Sequence, residues 1–365
     1  MEFIADRIGD TGALFALGLL VGLVFGSAAQ HSRFCLRAAT AEVARGQMGP
    51  KMAIWLIVFL TALLATQAAR QAGLLDPSEA RQLSGVGSLS GAIIGGLLFG
   101  VGMILARGCA SRLLVLSATG NMRALVTGLV LTLVAQASLR GVFAPVREAL
   151  FNLWTIDGVA ARNLLDRIGG DAEGAIMGAA ALLVAALGLA MFRRVGRSRI
   201  LAASLVGLAV AGGWVGTYAL AQVSFTPVAL SSVTFSGPSA DTLMGLVNER
   251  SLALSFSIGL IPGVMAGSGL MALATGEFRI ERFSAETGME RYLLGACMMG
   301  FGSMLAGGCA VGAGVSGGAV FSLTAWVAVF SMWMGALAAI TIGDTLAEGR
   351  GAGPTSGPSP RPSGS

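Results

Sequence analysis

Long apolar runs alternate with short polar breaks along the whole chain. The runs cover about 11–30, 52–69, 88–106, 123–139, 174–192, 200–223, 252–275, 291–306 and 318–343. Most approach the ~20 residues that a helix needs to cross a bilayer. In lipid the backbone must satisfy its own hydrogen bonds, so each run is predicted to be helical. The pattern therefore predicts an all-α polytopic membrane protein with about nine transmembrane helices. Gly, Ala and Ser recur in every run, which suits close helix packing through small-xxx-small faces.

Composition supports this and removes other classes. Of 365 residues, 55% are hydrophobic and 12% charged, and the mean hydropathy is +0.78. Soluble domains carry roughly 25% charged residues. A disordered chain, a disulfide-rich secreted module and a typical cytosolic enzyme are thereby excluded. His31 is the single histidine. It rules out a multi-histidine metal site, and any Ser-His-Asp triad would have to use it. None of Cys35, Cys109, Cys297 and Cys309 forms a C-x-x-C pair. The expectation is a protein that is not an enzyme and needs no cofactor or metal. The first residues lack the basic region of a cleaved signal peptide. One integral membrane domain is expected over 1–346. The Gly/Pro/Ser-rich tail at 347–365 is expected to be disordered.

Charge sets an orientation. A net charge of +5 and a pI near 9.6 are compatible with nucleic-acid binding. The basic residues, however, sit between apolar runs rather than in one stripe, so the lipid bilayer is the expected partner and nucleic acid is not. His31 to Lys51 carries Arg33, Arg37, Arg45 and Lys51 against Glu42 alone, and Arg193, Arg194, Arg197 and Arg199 follow the fifth run without an acid. The positive-inside rule places both loops in the cytoplasm. Four spans separate them, so the two assignments agree. The N-terminus is then periplasmic and the C-terminus cytoplasmic. The 140–171 loop, with Arg147, Glu148, Asp157, Arg162, Asp166 and Arg167, reads as an amphipathic surface segment on the outer side. The 224–250 loop reads as lying outside the bundle.

The chain repeats itself. GGLLFGVGMILARGCA at 95–110 and GACMMGFGSMLAGGCA at 295–310 share eight of sixteen positions at an offset of 200, including the rare Cys109 and Cys309. A fainter match joins Gly22-Leu23-Val24-Phe25-Gly26-Ser27 to Gly263-Val264-Met265-Ala266-Gly267-Ser268. The stronger copies close the third and eighth spans, five spans apart, so they cross the membrane in opposite directions. Two inverted halves, about 11–170 and 171–343, follow. Transporters of this plan hold substrate at the midplane, where glycine-interrupted segments of both halves meet.

Those segments suit an anion. A glycine break lets the backbone bend and approach a ligand. A helix restarted after the break leaves N–H groups unpaired at its positive end. The first break, Arg107-Gly108-Cys109-Ala110-Ser111-Arg112, and the second, from Gly308-Cys309 to Gly312 and Gly317, aim two such ends at one point. A thiol is a weak donor with a polarizable surface. It favours an anion with terminal sulfur, such as thiosulfate, over a hard oxyanion. Cys35 can supply a third thiol near the cytoplasmic end of the first span. Cys297, mid-run among small residues, reads as apolar filler. Arg107 and Arg112 flank Cys109 and can draw in anions or anchor at the interface.

At these residues the chain resembles the YeeE/YedE family of bacterial sulfur-compound transporters. Three elements carry the likeness: Ser32-Arg33-Phe34-Cys35; Gly108-Cys109-Ala110-Ser111 with Gly120-Asn121; and Gly308-Cys309-x-x-Gly312-x-Gly314-x-x-Gly317. The resemblance implies inverted halves in an hourglass-like shape, with short re-entrant half-helices at a constriction. It implies a thiosulfate path lined by Cys35, Cys109 and Cys309 with transient S–H···S contacts, in a bacterial inner membrane. It also implies a small cytoplasmic sulfur carrier, TusA-like (TsuB-type), as partner. Arg112 departs from the glycine common at that position. The binding set read here is Cys35, Cys109, Cys309, Gly108, Ser111, Gly308 and Gly312. Other sulfur or selenium compounds and a membrane thiol-redox protein are the rival readings; a soft-metal transporter ranks below them.

Overall fold

Nine helices among the described residues are long and apolar enough to cross a membrane. The computed structural model describes residues 9–167, 169–224, 227–248, 253–282 and 288–351. In chain order the helices of eight or more residues are α1 (Asp10–Ser32), α2 (Leu36–Ala44), α3 (Pro50–Gln71), α4 (Leu89–Leu105), α5 (Ala110–Ala118), α6 (Met122–Arg140) and α7 (Ala144–Phe151). There follow α8 (Ala172–Phe192), α9 (Arg197–Ala221), α10 (Ser236–Asn248), α11 (Phe256–Ala274), α12 (Met289–Leu305), a π-helix (Ala310–Gly317) and α13 (Leu323–Gly351). Each apolar run corresponds to one span. The last starts later than its run because the chain turns at Phe321, left-handed at φ 54°, and Ser322 bridges Asn163 before α13 begins. It extends to Gly351, into the segment expected to be disordered; residues 352–365 lie outside the described residues.

Small polar side chains start several helices by accepting orphan N–H groups. Ser88 Oγ accepts from Gly91 N at 2.8 Å to open α4, and Asn121 Oδ1 accepts from Ala124 N at 2.9 Å to open α6. A two-residue antiparallel ladder, β1 (Gly87–Ser88) with β2 (Thr155–Ile156), ties the start of α4 to the loop after α7.

The glycines set how the spans pack. On α4 and α12, a Cβ at Gly102 would meet Gly295 O at 2.6 Å, and a Cβ at Gly295 would meet Gly102 O at 2.6 Å. Gly95 and Gly302 form the same reciprocal contact at 2.5 and 2.7 Å. Rising numbers meet falling ones, so the two copies run antiparallel. Their helices span 89–105 and 289–305, the offset of 200 held throughout, and the segments after the break both begin 200 apart, at 110 and 310.

The fainter match has a different meaning. Gly18, Gly22 and Gly26 of α1 face Gly259, Gly263 and Gly267 of α11 with rising numbers on both sides. A Cβ at Gly22 would lie 2.9 Å from Val264 N, and one at Gly263 3.0 Å from Leu19 Cα. These helices are parallel, so the 22–27 and 263–268 likeness is a shared small-xxx-small face rather than part of the inverted repeat.

Two loops differ from expectation. The 140–171 segment begins at the surface, since α7 has no fully buried residue. It then turns inward: Arg162 is 4% exposed, and Asn163 and Leu165 are buried. Within 227–248, the described part of the 224–250 segment, the stretch from Leu230 to Phe235 is not outside the bundle. Leu230, Val233 and Phe235 are buried, and Phe235 packs on Phe25 with ring centroids 5.1 Å apart. An apolar stretch threaded among spans buries itself whatever its secondary structure, provided its backbone finds partners. Here Ser316 Oγ donates to Val233 O at 2.6 Å, and Thr217 Oγ1 to Ser231 O at 2.9 Å.

Candidate functional site

Three of the four cysteines occupy the same structural position. Cys35 precedes α2, Cys109 precedes α5 and Cys309 precedes the π-helix, each as the N-cap of a short helix. Ser, Thr, Asp and Asn normally fill this place because their oxygens accept the first free N–H groups. A thiol there sets a soft sulfur beside the positive end of a helix. Cys109 and Cys309 are each 1% exposed. Cys297 lies inside α12, half-buried and at no helix end.

The first break is built from Arg107, Gly108 and Cys109. Arg107 takes a left-handed φ of 55°, which turns the chain out of α4. Gly108 packs against Leu113 Cδ2, 3.3 Å from where a Cβ would stand. Cys109 Sγ lies 3.3 Å from Ser111 Oγ, and either atom can donate. Cys35 and Cys109 face each other within range of a side-chain interaction.

The second break mirrors the first. Gly307 is left-handed at φ 80°. Cys309 Sγ accepts from Gly312 N at 3.5 Å. A Cβ on Gly308 would lie 2.8 Å from Ala313 N, and one on Gly312 would lie 2.8 Å from Thr234 Cβ. Bare backbone is therefore required where Thr234 covers the π-helix. α5 and the π-helix touch, so the two copies meet through their broken segments. The structure brings Cys35 and Cys109 together; the described partner of Cys309 is Gly312.

Each broken segment is clasped at its far end. Arg279 N donates to Thr119 O and Met122 N to Glu281 O, both at 3.1 Å, and the Asn121 amide donates to the Glu281 carboxylate. In the other copy Leu164 N donates to Phe321 O at 2.8 Å beside the Asn163–Ser322 bridge. Sequence reasoning missed this second clasp and the residue next to it. Arg162 is the one charged side chain among the fully buried described residues. Its Nη1 donates to Gly85 O, while Nε has no described partner. Burial pushes its guanidinium pKa down against the pull of Asp157. Within the loop, the only hint was an apolar Leu164-Leu165 pair beside Asn163.

Arg112, three residues after Cys109, donates through Nη1 to Gln30 Oε1 at 3.3 Å. Among the described residues, no group of three or more His, Cys, Asp or Glu side chains could hold a metal ion. The arrangement can offer N–H groups, a hydroxyl and polarizable thiols to an anion in a buried place, where such contacts strengthen.

Comparison with known proteins points the same way. The model of a family described as Sulphur transport matches residues 31–338. A thiosulfate transporter TsuA of Escherichia coli (strain K12) is 26% identical over 335 residues, covering 87% of this chain and 91% of its own length. A thiosulfate transporter TsuA of Spirochaeta thermophila is 26% identical over 355 residues, covering 85% and 93%.

Proposed function

Since the chain belongs to the Sulphur transport family, we propose that it is a multi-pass permease of the bacterial inner membrane that takes up thiosulfate. The observation that carries this reading is the placement of Cys35, Cys109 and Cys309, each at the N-cap of a short helix, two of them on antiparallel copies. The dianion's oxygens accept N–H groups freed at the breaks around Gly108 and Gly308 to Gly312. Its terminal sulfur accepts S–H bonds from the thiols, and Ser111 steadies Cys109. No bond of the substrate breaks and no cofactor takes part. The paired thiols Cys35 and Cys109 line one side of the constriction, and Cys309 lines the other.

Arginine-rich loops at 33–51 and 193–199 support a cytoplasmic Arg33 face, with the N-terminus outside and the C-terminus inside. A TusA-like sulfur carrier is proposed as the partner on that face. The test is uptake of labelled thiosulfate by bacteria lacking their own uptake system. Wild type restores uptake; Cys109→Ala and Cys309→Ala lose it while still inserting in the membrane. Full uptake by the double alanine variant overturns the reading. Competition by selenite, sulfite and sulfate separates thiosulfate from related substrates.

The closeness of Cys35 to Cys109 favours a second reading, a thiol-redox protein cycling a disulfide between them. Uptake that persists under strong reductant rejects it.

A further inference from the structure

A polar cavity of about 400 Å³ opens where α1 ends, lined by Gln30, Arg33, Arg112, Asn121, Glu277 and Arg279 among others. Its donors converge on one carboxylate. Arg33 Nη2 donates to Glu277 Oε1 at 2.8 Å, and Gln30 Nε2 donates to Glu277 Oε2 at 2.9 Å. Gln30 is 4% exposed, and its Oε1 accepts from Arg112 Nη1 at 3.3 Å. Arg112 thereby fixes which end of the buried amide faces the carboxylate. Glu277 itself hangs from the turn after α11: Gly276 is left-handed at φ 69°, and Glu277 N donates to Ala272 O at 2.8 Å. The other acid of the cavity, Glu281, is engaged by Asn121.

We propose that this cavity is a binding site for a small divalent anion, and that the Glu277 carboxylate is a built-in competitor which the anion displaces. The donor set is what a tetrahedral dianion needs: a guanidinium able to make paired hydrogen bonds, an oriented buried amide, and two further arginines close by. Glu277 accepts from two of these donors, Arg33 and Gln30, with a single charge. Its pair with Arg33 is exposed, at 47% and 37%, and such pairs hold weakly. A doubly charged ligand therefore wins the donors while the released carboxylate turns to water. The inference rests on the anion-transport reading for the ligand's identity; the site's chemistry requires only a dianion.

The test uses the full chain purified in detergent, with sulfate, thiosulfate and chloride titrated at matched ionic strength and thermal stability as readout. Glu277→Gln removes the competitor and should bring saturation by sulfate and thiosulfate at about fivefold lower concentration. Adding Arg33→Gln to that variant should abolish the gain, and Glu277→Asp, with its shorter reach, should fall between wild type and Glu277→Gln. Equal stabilisation by chloride, or no tightening in Glu277→Gln, overturns the proposal. Proteoliposomes loaded inside with thiosulfate or with sulfate form a second arm. Uptake by Glu277→Gln should be inhibited from the Arg33 face more strongly than wild type. Inhibition by thiosulfate alone assigns the site to the transported anion; inhibition by both assigns it to dianions generally. Tightened sulfate binding in a protein that takes up no thiosulfate would refute the transport reading and leave the site standing.

Discussion

Arg107 and Gly307 stand 200 residues apart at the same turn of two antiparallel copies, and both are left-handed, with φ of 55° and 80°. Glycine reaches that conformation without steric cost, whereas a side chain loses about 1–2 kcal/mol there. Arg107→Gly should therefore raise stability by about 1 kcal/mol, and Gly307→Ala should lower it by a similar amount. Thermal unfolding in detergent measures both. A destabilised Arg107→Gly would mean that the arginine side chain holds the turn itself.

The reciprocal glycines of α4 and α12 set a stricter limit. A Cβ at either Gly102 or Gly295 would stand 2.6 Å from the other's carbonyl oxygen. Gly295→Val should cost about 3 kcal/mol or more, at the upper end of overpacking penalties. The double variant Gly102→Val with Gly295→Val should cost less than the two separately, because both push the same helices apart. Strict additivity in that cycle would refute the interlock. Cys297→Ala, on the same helix, should leave stability within about 1 kcal/mol and uptake unchanged.

Glu277 links the cavity to pH. The Arg33 hydrogen bond holds its carboxyl below the ordinary 4.5, assisted by Gln30. A depressed acid stabilises the fold above its unfolded pKa and loses that contribution as pH falls through the folded value. The contribution is then complete at neutral pH and declines only below 4.5. Because the pair is exposed, it should amount to less than about 1 kcal/mol and shrink with salt. Stability of wild type against Glu277→Gln, measured from pH 7 downward, should converge in acid; a constant gap would sink this account.

Arg162 carries an unusual cost for its position. A buried charge whose described hydrogen bond goes to one carbonyl, with Asp157 as the opposite charge acting on it, is costly to bury, so Arg162→Met should leave folding within about 1 kcal/mol of wild type or improve it. The charge sits next to the clasp on Phe321, at the end of the segment that starts with Cys309. Uptake by Arg162→Met should fall about tenfold, with Arg162→Lys in between. Unimpaired uptake would make Arg162 a structural residue only.

Much of this was legible in the residues. The offset of 200 between Cys109 and Cys309 foretold two antiparallel copies, because span parity follows from counting apolar runs. The glycines at 95, 102, 295 and 302 were visible as a repeat, but which carbonyl each one faces was not. The 22–27 and 263–268 likeness looked like more of the same repeat; only the parallel course of α1 and α11 shows it to be a packing face. The buried stretch around Val233 and Phe235 falls between two apolar runs and so reads as an outside loop, because the hydroxyls that satisfy its backbone, Thr217 and Ser316, lie in segments that no local pattern joins to it.

The residues alone determined the spans, their number and the opposed copies. Lipid leaves a backbone no partner but itself, so an apolar run of sufficient length has one solution. Only the tertiary structure decided that three cysteines each stand at the N-cap of a short helix, with the Cys309 thiol alone accepting a capping N–H, that Cys35 meets Cys109, that Arg162 is buried and that Glu277 fills a nest of donors. Those outcomes depend on contacts between segments up to about 250 residues apart. Short-range patterns carry no information on which distant polar groups will share one buried place.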